Sequence, residues 1–122
     1  MHIINYISQN QTGSLDPRFS RFFMEMKDIM LRRLDYLSSK GYISNECKEL
    51  YVPLLKKQTM VHFLFLKYNI KKEWSIIVRI CEIMEEICRG EVNILMRVTN
   101  ELYETIKEQE AQRYCLTKTD HQ

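Results

Sequence analysis

Residues that form turns are scarce in this chain. Its 122 residues include three glycines and two prolines. A sheet of many strands needs a turn at each strand end, so this scarcity disfavours a β architecture and favours long helices. A hydrophobic fraction of 45% against 28% charged residues is typical of a globular protein rather than a disordered one. We expect a single domain with its own hydrophobic core.

Features that mark secreted or membrane proteins are also missing. The opening segment MHIINYISQN has no basic n-region and is too short and polar to be a signal peptide or a membrane span. Without a secretory signal, the four cysteines are expected to be free thiols in a reducing, cytoplasmic compartment. They are Cys47, Cys81, Cys88 and Cys115.

Groupings that support catalysis or cofactor binding do not occur in the sequence. There is no CxxC or HxxxH spacing for a metal and no glycine-rich phosphate loop. His62 lies between apolar neighbours in a predicted helix, which favours a structural role over that of a general base. Glu82, Glu85 and Glu86 lie on an outward arc, without the inward ExxH pairs of di-metal bundles. The sequence predicts no enzyme, no catalytic residue, no metal and no cofactor.

Apolar periodicity predicts an all-α fold, a compact single-domain bundle of five or six antiparallel helices. The first long helix is expected to begin at Asp16 as N-cap, with Pro17 at the first helical position, and to stop at Gly41. Its predicted core stripe is Phe19, Phe22, Phe23, Met26, Met30, Leu34 and Leu37.

The next boundaries are predicted from single residues. Ser44 is expected to cap a second helix after a corner that buries Ile43, and Pro53 is expected to end that helix. The run VHFLFL could be a buried strand by composition, but with no partner strand in the chain we interpret it as the central helix, buried on nearly all sides.

Two further helices are predicted in the C-terminal half. One carries Trp74, Ile77, Val78, Cys81, Met84 and Cys88 on its core face and stops at Gly90. The last carries Val92, Leu95, Leu102 and Ile106 on a narrower stripe. The predicted organisation is a short arm or helix over 1–15, a helical bundle over 16–113 and a flexible tail over 114–122.

Charge is unevenly distributed, although the net charge is only +2. Residues 54–80 contain six basic residues and one acid, whereas residues 81–110 contain eight acids and three basic residues. Such a molecule can pair with copies of itself or with similarly built partners through opposite charges. The alternative is that the two segments complement each other within the fold or form solvated faces, and the sequence does not decide between them.

Two stretches resemble the caspase-recruitment domains of the death-fold superfamily. LSSKGYIS followed by ECKEL is similar to the junction between the family's second and third helices, with Leu37, Gly41, Ile43, Ser44 and Glu49 in the corresponding places. FLFLKYNIKKEWSIIVRI is similar to its fourth helix, short basic link and fifth helix, with Phe63, Leu64, Trp74 and Ile77 in those places. The Thr-x-x-Asp-Lys type of opening to the fourth helix is absent, and the first two helices are nearly fused.

The resemblance implies a non-catalytic module that assembles with its own kind, or with a partner, in apoptotic or innate-immune signalling. Its charged contacts would join one basic surface to one acidic surface on a protein partner. The residues predicted for them are Arg32, Arg33, Lys56, Lys57, Lys71 and Lys72, meeting Glu82, Glu85 and Glu86.

Two alternative functions remain open from the sequence. The basic stretch over 54–80 lies near Tyr68 and Trp74 and could bind nucleic acid, although Trp74 falls on the predicted core stripe. The protein could also be a helical subunit that forms a homodimer or completes a larger complex. No membrane partner is predicted.

Overall fold

The computed structural model describes residues 14–120, with side chains described as far as residue 115. It contains three helices, α1 over Pro17–Ser39, α2 over Asn45–Lys71 and α3 over Trp74–Asp120. Short corners reverse the chain twice, so α1 and α3 run parallel to each other and antiparallel to α2. The described part of the chain holds no strand. This confirms the all-α prediction, with the run VHFLFL inside α2.

The predicted number of five or six helices is wrong, because two expected boundaries do not exist. Pro53 lies inside α2, although a proline there cannot donate to the carbonyl of Glu49. Gly90 lies inside α3, where an added Cβ would approach Cδ2 of Leu54 to 2.9 Å. Gly90 therefore allows α2 and α3 to pack closely instead of ending a helix.

The predicted helix ends are confirmed at the other corners. Asp16 accepts a hydrogen bond of 2.9 Å from the backbone N–H of Arg18, and Pro17 follows it at the first helical position. Gly41 has φ of +79° just after α1, in the left-handed region that glycine adopts without strain. Ser44 occupies the N-cap position of α2, and Ile43 is buried beside it.

The core consists of two apolar clusters along the length of the molecule, and α2 contributes to both. One lies near the α2–α3 corner and contains Leu15, Val61, Phe65, Ile76, Ile77, Ile80, Ile83, Met84 and Ile87. The other lies near the α1–α2 corner and contains Leu34, Ile43, Cys47, Tyr51, Leu54, Ile94 and Val98. α2 packs along both other helices, whereas α1 and α3 make few close backbone approaches.

Several residues predicted to lie in the core are on the surface. Trp74 and Phe63 are 64% and 62% exposed, and Phe22 and Met26 are also exposed. The apolar rows on these helices are wider than the area that two neighbouring helices cover. The outer part of each row therefore remains in contact with water.

The predicted N-terminal arm over 1–15 and the predicted C-terminal tail over 114–122 are described in part by the structure. Residues 1–13 of the predicted arm lie outside the described residues, while Leu15 is buried and exchanges two hydrogen bonds with Asn69. α3 continues as helix to Asp120, through most of the predicted tail over 114–122. The flexibility of that tail stays a prediction. Within residues 14–120, no helix is long and apolar enough to cross a membrane.

Candidate protein-interaction surface

A row of apolar side chains is exposed along α1. The row advances by alternating steps of four and three residues, which is the spacing of a coiled-coil seam. Arg33 is its one polar member, and a shallow depression beside it is lined by Ile29, Tyr36 and Leu37 together with Arg32. We name this row the α1 stripe, and it consists of Phe22, Met26, Ile29, Arg33 and Tyr36.

A second exposed row with the same alternating steps runs along α3. Its polar member is Thr99, and a shallow depression beside it is lined by Val92, Leu95 and Met96. We name this row the α3 stripe, and it consists of Val92, Met96, Thr99, Tyr103 and Ile106. Two rows with this period are each suited to receive a helix of another chain.

Both stripes face away from α2. On α1, Asp35 forms an ion pair of 2.8 Å with Lys48 of α2, and successive residues are separated by about 100° around a helix. At about 100° per residue, the α1 stripe and Asp35 lie on opposite flanks of α1. On α3, Glu86 and Arg97 form ion pairs with α2, and the α3 stripe lies on the flank opposite to them. The two stripes therefore share one side of the molecule, which we name the apolar face.

A polar network within the core fixes the relative positions of the three helices behind this face. Lys27 of α1 forms an ion pair with Glu91 of α3, and the same carboxylate accepts a hydrogen bond of 3.0 Å from the hydroxyl of Tyr51 on α2. Tyr51 is buried, and this burial is the main cause that raises the pKa of its phenol far above the usual range. The nearby negative charge of Glu91 is the second cause. Since these polar groups have few other partners in the core, they specify the register of the helices.

A second polar cluster holds the α1–α2 corner against α3. The carboxylate of Glu101 accepts hydrogen bonds from the backbone N–H of Ser44 at 3.2 Å and from the thiol of Cys47 at 2.6 Å. The hydrogen bond from Cys47 is the main cause that lowers the pKa of Glu101, and burial raises the pKa of the thiol. A carboxylate at the first turn of α2 also interacts favourably with the helix dipole. Glu101 thus satisfies the backbone N–H of Ser44, whose own side chain makes no capping hydrogen bond.

The predicted acidic surface is already paired within the chain. Glu86 lies 3.3 Å from Lys57 of α2. Glu82 and Glu85 lie 3.3 Å and 3.6 Å from arginines one turn away on α3. These exposed ion pairs contribute little and do not prevent outside contacts, so the charged-surface mechanism stays a prediction. The sequence left open that the basic and acidic segments pair with each other within the fold, and the Lys57–Glu86 ion pair is one such contact.

The predicted basic residues do not form one patch. Arg32 is exposed on α1 and paired with Asp28 at 2.9 Å, and Arg33 is exposed beside it within the α1 stripe. Lys56 is exposed on α2. At the far end of the molecule, Lys71 and Lys72 are exposed at the α2–α3 corner, where Lys72 lies over the ring of Tyr68 and donates to Ser14. The sequence grouped these residues by charge, and the fold distributes them over α1, the middle of α2 and the α2–α3 corner.

The histidine considered for catalysis has a partner that the sequence did not indicate. Nδ1 of His62 lies 2.6 Å from Oγ of Ser20, which is buried and also donates to the carbonyl of Pro17. The contact joins α1 to α2, and a buried serine is poorly placed to reach a substrate. Among the residues described, no group of three histidines, cysteines or carboxylates is arranged to hold a metal ion.

The outer surface of α2 combines basic and aromatic residues. Lys56, Lys67 and Lys71 are exposed there, as is Phe63, and Trp74 is exposed just past the corner. The sequence predicts a buried Trp74, which would not be able to stack on a base. In the structure the Trp74 ring is exposed and accessible for stacking.

Comparison of the chain with protein-family models, with curated proteins and with solved structures gives no match. One signal in the sequence indicates that an exposed apolar surface exists, although it does not locate that surface. The apolar residues on α1 and α3 occupy more positions than a single core-facing stripe needs.

Proposed function

We propose that the protein is a non-catalytic, intracellular helical interaction module that binds another protein through the apolar face. The observation that carries this proposal is the exposure of eight large apolar side chains at coiled-coil spacing on one side of the molecule. Scattered exposed apolar residues are normal, but two aligned rows of them are typical of a binding surface. The rows flank a framework held by polar networks, so the face is preorganised and binding needs little reordering.

Photocrosslinking in cells that produce the protein tests this proposal. A photoreactive phenylalanine analogue placed at Met96, and separately at Ile29, should give discrete crosslinked protein adducts. The matched control places the same analogue at Glu49, which is exposed on α2 away from the apolar face. Adducts no stronger at Met96 and Ile29 than at Glu49 would show that the face binds no protein.

The resemblance to caspase-recruitment domains would place this module in apoptotic or innate-immune signalling. Two corners support it, since Gly41 and Ser44 lie between α1 and α2, and Trp74 opens α3 after a short link. The family pattern also requires separate helices where this chain has single long ones. The signalling setting therefore rests on the resemblance alone. Reversal of Glu85 and Glu86 together to lysine would abolish assembly if charged contacts of that kind drive it.

Nucleic-acid binding by the outer surface of α2 is the second candidate. It is favoured by the exposed aromatic rings of Phe63 and Trp74 among exposed lysines, a combination that can stack bases and contact phosphates. Binding to a single-stranded oligonucleotide should weaken steeply with salt, and Trp74→Ala should weaken it further. Affinity that is independent of salt would exclude this function.

A further inference from the structure

α3 projects past the end of the three-helix body. The hydroxyl of Thr105 donates a hydrogen bond of 3.0 Å to the carbonyl of Tyr42, which places the α1–α2 corner beside this residue. α3 continues for 15 residues beyond it to Asp120, about 22 Å at 1.5 Å per residue. Side chains over 106–115 are all exposed. A helical segment of this length is marginally stable in water by itself, so a packing partner would stabilise it.

The α3 stripe extends onto the projecting segment. After Ile106, the residues on the same side of the helix are Glu110, Arg113 and Tyr114, and all three are exposed. The acidic Glu110 thus lies between the apolar Ile106 and Tyr114, with the basic Arg113 one turn after it. The α1 stripe has the matching form, with the basic Arg33 between Ile29 and Tyr36.

Arg33 and Glu110 of one chain are too far apart to meet. Because Lys27 and Glu91 form an ion pair, they lie at the same height along the parallel helices α1 and α3. Arg33, six residues after Lys27, therefore lies at about the height of Arg97. Glu110 lies 13 residues farther along α3, which corresponds to about 20 Å. The charge at Glu110 can therefore meet an Arg33 only on another molecule.

We propose that the partner of the apolar face is a second copy of this chain, bound antiparallel about a two-fold axis. This inference rests on the proposed function, because it names the partner of the same face. In the dimer, Glu110 of each copy pairs with Arg33 of the other. The antiparallel register then places Ile106 against Tyr36, and Tyr114 against Ile29. Each copy contributes the same two elements, as a two-fold interface requires.

The register follows from the spacing of the two rows. On α1 the residues lie at 29, 33 and 36, and on α3 they lie at 114, 110 and 106 in the opposite direction. Steps of four and three residues face steps of four and four, so each apolar side chain lies within one residue of an apolar counterpart. Opposite charges at the central position favour this register over alternatives that bring like charges together.

Sedimentation equilibrium of the full chain, with single and paired charge reversals, tests the inference. The wild-type protein should be a dimer, and Arg33→Glu or Glu110→Arg should each weaken dimerisation about tenfold, because two ion pairs per dimer become repulsive. The variant with both reversals should recover wild-type affinity. Glu108→Arg, two residues from Glu110 and on the opposite side of the helix, is the matched control and should have no effect.

Three results would overturn the inference. They are a wild-type chain that is monomeric at every concentration, a doubly reversed variant that stays as weak as the single ones, and an equal loss in Glu108→Arg. A monomeric chain that still gives crosslinked adducts from Met96 would retain the proposed function with a different partner. A chain without adducts would lose both.

Discussion

Loss of Glu91 is expected to destabilise the protein strongly, because its carboxylate joins all three helices. Glu91→Leu leaves the ammonium of Lys27 without its ion-pair partner and the hydroxyl of Tyr51 without its acceptor. Removing one partner of a fully buried ion pair costs about 3–5 kcal/mol. The side chains of Lys27 and Glu91 are 14% and 25% exposed, so water relieves part of this cost. We expect the free energy of unfolding to fall by about 2–4 kcal/mol.

A double variant separates the unpaired charge from the loss of packing. Lys27→Met combined with Glu91→Leu removes both charges and replaces them with apolar side chains of similar length. Made in the Tyr51→Phe protein, which lacks the hydroxyl that would lose its acceptor, this double replacement should leave the free energy of unfolding within about 1 kcal/mol of that of Tyr51→Phe alone, since such replacements are often neutral. Tyr51→Phe should cost about 1 kcal/mol, the net value of one hydrogen bond.

Urea unfolding followed by circular dichroism measures all of these variants at one pH and one protein concentration. A constant concentration is needed because a dimer gains stability by mass action. The reasoning is refuted if the double replacement in the Tyr51→Phe protein costs as much as Glu91→Leu, because the loss would then come from packing and not from an unpaired charge. A change below about 0.5 kcal/mol for Glu91→Leu would show that the network contributes nothing.

Three further predictions concern Pro53 inside α2, Glu101 beside the α1–α2 corner, and the cysteines. Pro53→Ala should raise the free energy of unfolding by about 1–3 kcal/mol, because alanine restores a hydrogen bond inside α2; a loss in urea unfolding would show that α2 is broken there. The lowered pKa of Glu101 stabilises the fold above the ordinary carboxyl pKa near 4.5, and this contribution is lost as the pH falls through the folded pKa. Glu101→Gln should therefore flatten the acid limb of the stability curve, and an unchanged limb in urea unfolding at several pH values would contradict the assignment. Iodoacetamide should label the exposed Cys88 quickly in the folded protein and Cys47 only after unfolding. It should label Cys81 slowly, because burial raises the pKa of its thiol. Rapid labelling of Cys47, detected by native mass spectrometry, would show that its cluster with Glu101 is open.

The helical class and the corners could be predicted from the sequence because their causes are local. Asp16 and Pro17 fix the start of α1 through an unpaired amide and a preset φ angle, and Gly41 fixes its end through a left-handed φ. The boundary assigned to Pro53 was wrong because packing of α2 on both sides overrides the loss of one hydrogen bond. Gly90 was misassigned for a related reason, since its role is to make room for a side chain of another helix.

The interaction surface could not be located because it depends on which helices become neighbours. Periodicity shows that α1 has an apolar side, but it does not show that Met26 is exposed while Met30 packs against the core. The contacts of Glu101 and Glu91 are also nonlocal, since each joins residues 40 or more positions apart. The charge segments were visible in the sequence, but the fold disperses the basic residues and pairs the acidic ones internally.

Light scattering of two paired variants at low and high salt tests most directly whether apolar contacts hold the assembly together. One variant combines Ile29→Glu with Ile106→Glu, which the proposed dimer places in apolar contacts, and the other combines Lys71→Glu with Lys72→Glu at the α2–α3 corner. We expect the first to fall to the mass of one chain, 14.8 kDa, at both salt concentrations. The second should keep the mass of the wild-type dimer. Dissociation of the lysine variant together with an intact isoleucine variant would contradict the account.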